Sequence, residues 1–338
     1  GYWTDRRDRD GTAAQSYISD WTDSACVSEK RSKDMINTVE GRISAETIGV
    51  TMCHEHLAMD LSPVRKDRDS VFDDLELIEE EVKLMKALGV QSVIEVSCND
   101  MGRNVRMLRE ISRECGLQII ASTGFYLEAY HPENVRRGTV EEICDIFCQD
   151  ILEGIDGTDI KAGIIGEVAG GEKELAPSEE KVLKAAALAG VRTGCAVTTH
   201  CQMGALGLEQ SSLLQGQGID PDKIILGHID LSDDREYQKN ILDTGVNIAY
   251  DTVGKTGYLS DEKRADNLLW LLEKGYEDHI LLSQDISRKS YMAKYGKYDG
   301  YTTVLKKFVP LLRKRGVSKE TLDKMLIHNP ARILDMDR

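Results

Sequence analysis

A repeated junction constrains this chain most: a helix-patterned segment ends at a glycine, and a short β-branched run follows at once. The glycines are Gly89, Gly116, Gly190, Gly218, Gly245 and Gly275, each suited to the left-handed position that closes a helix. Between Asp73 and Gly89, Leu75, Ile78, Val82 and Met85 form an apolar stripe, while Glu79, Glu80, Lys83 and Lys86 face water. Gly89 stops that helix, and Val90 to Val96 reads as a buried strand. The same pattern gives eight candidate strands, at 49–56, 90–97, 117–123, 160–167, 195–200, 223–228, 245–251 and 279–285. Several are apolar on both faces, such as Ile224-Ile225-Leu226 and Ile280-Leu281-Leu282, as befits parallel strands covered on both sides. Strands alternating with helices build βα units. Eight of them favour a closed (β/α)8 TIM barrel over an open doubly wound sheet, and 338 residues suit one such barrel with additions. Neither a Gly-x-Gly-x-x-Gly nor a Walker A sequence follows any strand, which argues against a nucleotide-binding α/β domain.

Residues 1–34 differ from the rest: they are polar, rich in Asp, Arg, Ser and Thr, and lack the apolar core of a signal peptide. Either Met35 is the natural start or residues 1–34 are a non-catalytic extension, and residues 35–338 are expected to form a single domain. The net charge of −15, from 43 basic and 58 acidic residues, argues against a nucleic-acid or anionic-membrane surface. No apolar stretch approaches the ~20 residues of a membrane span. The eight cysteines include no Cys-x-x-Cys pair, so free thiols in a reducing cytoplasm are expected. Cys53 and Cys201 adjoin candidate ligands, but strand alternation turns them away.

Chemistry concentrates at the strand ends. His54-Glu55-His56, Glu167, His200, His228 and Asp285 each close an apolar run. Residues two apart in a strand share a side, so His54 and His56 face one interior, and a parallel barrel gathers the other ends at the same rim. A lone buried histidine is usually a satisfied core residue, yet four imidazoles and two carboxylates at five strand ends point to a metal centre. The donor types favour Zn²⁺, with Mn²⁺, Co²⁺ or Fe²⁺ as alternatives. Six ligands exceed the three that a single catalytic zinc takes from protein. Two ions about 3.5–4 Å apart account for the number, with Glu167 as the bridging carboxylate. Alternation points Glu55 away from the interior, into a supporting role. His279, at a strand start, and His328, near the last helix, read as structural, and His131 as a loop residue.

The segment Gly49-Val50-Thr51-Met52-Cys53-His54-Glu55-His56-Leu57 resembles the opening motif of the phosphotriesterase family of the amidohydrolase superfamily. Val197-Thr198-Thr199-His200, Leu226-Gly227-His228, Leu282-Ser283-Gln284-Asp285 and Ile327-His328-Asn329-Pro330-Ala331 are similar to its later motifs, in the same order. Phosphotriesterases themselves carry a carboxylated lysine as bridging ligand. Here Gly163-Ile164-Ile165-Gly166-Glu167-Val168 supplies a glutamate, which resembles the phosphotriesterase-related (homology) branch, as do Tyr250–Lys255 and Asp285–Arg288. The resemblance implies one metal on His54, His56 and Asp285, another on His200 and His228, and Glu167 between them. A metal-bridging hydroxide would attack a carbonyl, with Asp285 passing the proton to the leaving alkoxide. The implied substrates are small lactones or carboxylic esters, including sugar-lactone phosphates. Amide or deaminase chemistry lies within the superfamily. Phosphotriester hydrolysis is a second reading that Glu167 disfavours. A non-catalytic metal-containing binding protein is a third, and the positioned Asp285 speaks against it. Specificity would reside in the loops after strands seven and eight, where Lys255, Arg288 and Tyr291 are candidates for an anion clamp. Tyr126 and Glu128, beyond strand three, are candidates for the pocket wall. A homodimer is the assembly the resemblance suggests.

Overall fold

Eight parallel strands follow one another around a barrel in the computed structural model, which describes residues 35–337. They are β3 (Thr51–Glu55), β6 (Ser92–Glu95), β7 (Gln118–Thr123), β8 (Ile164–Gly170), β9 (Val197–Cys201), β10 (Ile224–Gly227), β11 (Asn247–Tyr250) and β12 (Ile280–Leu282). Every neighbouring pair from β3 to β12 is parallel and hydrogen-bonded. At the seam, Ser283 Oγ lies 2.9 Å from the His54 carbonyl and joins the last strand's end to the first. Two short antiparallel pairs are added: β1 (Met35–Thr38) with β2 (Gly41–Ser44), and β4 (Met59–Asp60) with β5 (Val71–Phe72). The expectations for residues 1–34 lie outside the described residues.

Two apolar layers follow from the strand periodicity. One fills the barrel with Cys53, Ile94, Ile120, Ile164, Ile225 and Leu281, sealed by Ile36 and Ile48 from the N-terminal segment and by Ile333 and Leu334 from the helix Asn329–Leu334. The other packs the outer faces of the strands against the helices. Each fully buried Ile or Leu contributes about 1.5–3 kcal/mol, so both layers are strong constraints on register. The helix Leu75–Ala87 shows how sequence sets its limits. Asp74 caps it by accepting from the Leu77 amide at 3.1 Å, and Ile78, Val82 and Met85 are buried as the stripe requires. Buried Glu81 departs from the stripe because it accepts from the amides of Ala293 and Lys294.

Three boundaries differ from the sequence expectation. Gly190 does not end its helix, which continues from Pro177 to Thr193 and is closed by Gly194 at φ 73°. A Cβ at Gly190 would lie 2.7 Å from Ile219 Cδ1 and 3.0 Å from the Cys195 carbonyl, so that glycine serves close packing instead. Strand β8 starts at Ile164 rather than 160, and its pairing with β9 shifts between Ile165 and Val168. Glu167 therefore projects from within a strand rather than from its end. Asp285 sits three residues beyond β12 in a left-handed turn at φ 48°. Among the described residues no helix is long and apolar enough to cross a membrane.

Candidate metal centre

The six candidate ligands converge at the C-terminal rim, all buried. Glu167 is the hub. Its Oε2 lies 2.9 Å from His200 Nδ1, 3.4 Å from His54 Nε2 and 3.6 Å from His228 Nε2, and its Oε1 lies 3.3 Å from His56 Nε2. Asp285 Oδ1 is 3.2 Å from His56 Nε2 and 3.9 Å from His54 Nε2. Three overlapping sets have donor atoms within 4.8 Å of one another: His54, His56 and Glu167; Glu167, His200 and His228; His54, His228 and Asp285.

The opposite ring nitrogens are directed at acceptors. His228 Nδ1 donates to Asp251 Oδ1 at 2.9 Å, and that same oxygen accepts from the His228 amide at 2.9 Å. His56 Nδ1 meets Ser97 Oγ at 2.9 Å, and the Ser97 hydroxyl donates to Glu95 Oε1 at 2.6 Å. His200 Nε2 meets Gln202 Oε1 at 2.6 Å. His54 Nδ1 stands 3.0 Å from Asp251 Oδ2, but neither ring nitrogen of His54 makes a hydrogen bond. An acceptor behind the rings of His56, His200 and His228 fixes their tautomer and orientation, as metal-ligating histidines require. The buried, unsatisfied Nε2 of His54, which faces the Glu167 hub, is what a divalent cation would complete. The residues present fit a metal.

Electrostatics agree. Burial would raise Glu167, but His54 and His200 hold it well below the usual carboxylate range. Asp251 is depressed by His228 and His54 against its burial, and Asp285 by Lys255 and His56 against its own. The imidazoles respond in the opposite sense. Burial lowers them, yet hydrogen bonds to Asp285 and Glu167 push His56 up to about 9, and Asp251 pushes His228 up to about 10. Three ionised carboxylates in a buried floor create a strong demand for positive charge.

Two candidate ligands depend on backbone geometry that carbonyl and Cβ sterics disfavour. His228 (φ 62°) and Asp285 (φ 48°) are both left-handed. Asp251 holds the first. Glu55 holds the second, accepting from Ser283 Oγ (2.6 Å), the Gln284 amide (3.1 Å), Gln284 Nε2 (2.7 Å) and the Ile286 amide (3.0 Å). Glu55 thus supports the rim, as alternation implied.

Above the candidate ligands lies a small open cavity of about 130 Å³. Tyr126, Lys255, Arg288 and Tyr291 line it. Lys255 Nζ donates to Asp285 and lies 5.7 Å from the Tyr291 ring centre. Tyr126 Oη is 3.5 Å from both His200 ring nitrogens. The structure does not bring Glu128 into the cavity: it sits in a short turn (Glu128–Tyr130), and its carboxylate accepts from Ser178 Oγ at 3.2 Å. His131, read as a loop residue, is buried between Ser178 Oγ and the Tyr126 carbonyl, at 3.0 and 2.7 Å. The seven described cysteines are free thiols. Cys201 packs in the outer layer as alternation requires, but Cys53 faces the barrel interior, because the pairing of β3 with β6 shifts between Met52 and Glu55.

Sequence reasoning passed over Asp251, Glu95, Gln202 and Arg65. Asp251 and Glu95 end apolar runs, the signal that exposed the ligands. Gln202 and Arg65 lie in short helical turns beyond the strands and carry no such mark.

A TIM barrel with a histidine–carboxylate cluster on its C-terminal rim defines a metal-dependent hydrolase class, and comparison with known proteins narrows it. The model of the Phosphotriesterase family matches residues 34–334, and the chain belongs to that family. The phosphotriesterase homology protein of Escherichia coli (strain K12) is 39% identical over 289 residues, covering 86% of this chain and 99% of the relative. Its crystal structure, with phosphate in the active site, superposes with a TM-score of 0.83 over 85% of this chain and 99% of that one. An N-acetyltaurine hydrolase of Danio rerio is 32% identical, covering 91% of this chain and 99% of the relative. A lactonase of Listeria monocytogenes is 28% identical, with a TM-score of 0.85 over 90% of this chain and all of its own length (100%). The last two are hydrolases, and this chain is a hydrolase of the same family.

Proposed function

We propose that the protein is a binuclear metal-dependent hydrolase of small lactones or carboxylic esters. The observation that carries this reading is the position of Glu167, shared between the His54–His56 set and the His200–His228 set. One ion would be held by His54, His56 and Asp285, the other by His200 and His228, with Glu167 bridging. Zn²⁺ suits the donors best, with Mn²⁺, Co²⁺ or Fe²⁺ as alternatives. Bound divalent cations would lower the pKa of water at the centre and polarise the scissile carbonyl.

The chain's own groups account for the remaining steps. Asp285 is ionised, reaches the ligand cluster through Oδ1, and is therefore placed to accept the proton of the attacking water and return it to the leaving alkoxide. Lys255 touches the same carboxylate and steadies its charge. Tyr126 closes the wall beside His200. Lys255, Arg288 and Tyr291 are the proposed binding surface for the rest of the substrate.

A second reading, N-acyl amide hydrolysis, is favoured by the similarity to N-acetyltaurine hydrolases. Amide cleavage would use the same proton acceptor with an amine as leaving group. The test combines elemental analysis with turnover of lactones, esters, N-acyl amides and paraoxon, on the wild type and on Asp285→Asn. About two metal ions per chain, with turnover lost in Asp285→Asn, is the expected result. Metal near zero after loading, or turnover that survives Asp285→Asn, refutes it.

A further inference from the structure

Three cationic side chains face the cavity: Arg65, Lys255 and Arg288. Two already have carboxylate partners. Lys255 is bonded to Asp285, and Arg288 Nη1 lies 3.6 Å from both Asp67 and Asp69. Arg65 has no carboxylate partner among the described residues. Its Nη1 donates to the Ser287 carbonyl at 3.4 Å, and its side chain meets the Tyr130 hydroxyl. A guanidinium carries five N–H donors in a planar fork, more than these two contacts use.

Placement adds to the chemistry. Arg65 ends the short helix Ser62–Arg65, between β4 and β5, in the loop that follows the first barrel strand. Ser287 belongs to the loop after the last strand, two residues beyond Asp285. Arg65 thus stands where these two loops meet over the rim, with Tyr126, Tyr130, Asp285 and Glu167 as its electrostatic neighbours. A half-buried guanidinium is stabilised by a two-oxygen anionic face, which its fork contacts with parallel hydrogen bonds. Lys255 could offer that only by releasing Asp285, and the charge of Arg288 is already offset by Asp67 and Asp69.

We propose that Arg65 is the oxyanion-recognising group of this cavity, selecting substrates that carry a carboxylate, sulfonate or phosphate away from the bond that is cleaved. The substrate class rests on the hydrolase reading above; the anion site does not. The test is therefore a binding measurement on the metal-loaded protein. Calorimetric titration with ethanesulfonate, propanoate and methyl phosphate is compared with a neutral control, ethyl methyl sulfone. The wild type should bind at least one anion better than the sulfone, and the preferred one identifies the oxyanion. Arg65→Gln should weaken that anion about 10- to 100-fold, the scale of hydrogen bonds to a charged group, and leave the sulfone unchanged. Arg65→Lys keeps the charge without the fork and should fall between them. Arg288→Ala should weaken the anion less than Arg65→Gln does. Anion affinity unchanged in Arg65→Gln, or a wild type that prefers no anion over the sulfone, overturns the proposal. If Arg65→Gln does not fold with full metal content, Arg65→Lys decides, and wild-type affinity for all three anions refutes it. Turnover by the wild type without anion selectivity would sink this inference alone. Anion binding without any turnover would sink the hydrolase reading alone.

Discussion

Replacing Asp251 by Asn tests whether the centre depends on the carboxylate behind its histidines. Asp251 is fully buried, and one oxygen accepts both the amide and Nδ1 of His228 while the other stands 3.0 Å from His54 Nδ1. Asparagine keeps one acceptor and turns the other into a donor. If its oxygen stays with His228, the amide NH₂ faces His54 Nδ1, and that ring must change tautomer or rotate out of the cluster. The charge that balances both imidazoles disappears as well. A hydrogen bond to a charged group contributes about 1.5–3 kcal/mol, and every 1.4 kcal/mol is about tenfold in affinity. Metal binding should therefore weaken about 10- to 100-fold, the range for loss of a partner behind a ligating histidine. Competition against a chromophoric chelator on metal-depleted protein measures this directly. A folded Asp251→Asn variant that binds both ions with wild-type affinity would refute the assignment of Asp251 as the orienting group.

Three further outcomes follow from the buried charges. With His56 at about 9 and His228 at about 10, the metal-free imidazoles hold protons at pH 7.5, and ligation must displace them. Zinc titration in buffers of different ionisation enthalpy should thus show net proton release; buffer-independent heats would contradict it. The linkage also has a sign. The raised imidazoles stabilise the metal-free fold below about pH 6.5, and that contribution is lost as pH rises through 9 to 10. The depressed Glu167, Asp251 and Asp285 contribute above about pH 4.5 and lose their effect in acid. Thermal unfolding against pH should accordingly place the metal-free optimum on the acid side of the metal-loaded one. Separately, Arg264→Ala should lower stability by about 3–5 kcal/mol in denaturant unfolding. The guanidinium is fully buried, bonded to Asp230 at 2.8 Å and Asp261 at 2.9 Å. A loss below about 1 kcal/mol, the usual worth of an exposed pair, would show that Asp230 finds another partner.

What could be read from sequence follows from how local each cause is. The barrel was legible because amphipathic stripes and apolar runs report burial residue by residue, and eight such units leave few arrangements. Five of the candidate ligands stood out because an imidazole or carboxylate closing an apolar run violates the pattern around it. Glu167 stood out for the same reason, although the strand continues past it to Gly170. Gly190 misled because close packing and helix termination leave the same residue in the sequence. Glu128 misled because proximity along the chain to the third strand's end says nothing of the direction Ser178 imposes. Cys53 was placed on the wrong face because a shift of register resets alternation and has no sequence mark of its own.

The residues that hold the ligands were the harder part, and the energetics explain why. A left-handed backbone costs a non-glycine residue about 1–2 kcal/mol, and the centre uses it at both His228 and Asp285. Nothing in either residue type announces that conformation. It persists because carboxylates elsewhere outweigh it: each hydrogen bond contributes about 1 kcal/mol net, and Glu55 gathers four of them around the Asp285 turn. Asp251 secures His228 through its amide and ring together. Glu55 adjoins the ligands in sequence, whereas Asp251 is 23 residues from the ring it orients. The rim is therefore organised by two buried carboxylates that hold strained turns in place. Because those bonds are made by protein groups alone, convergence on Glu167 belongs to the fold itself, and a cation entering the site meets ligands already aimed at it.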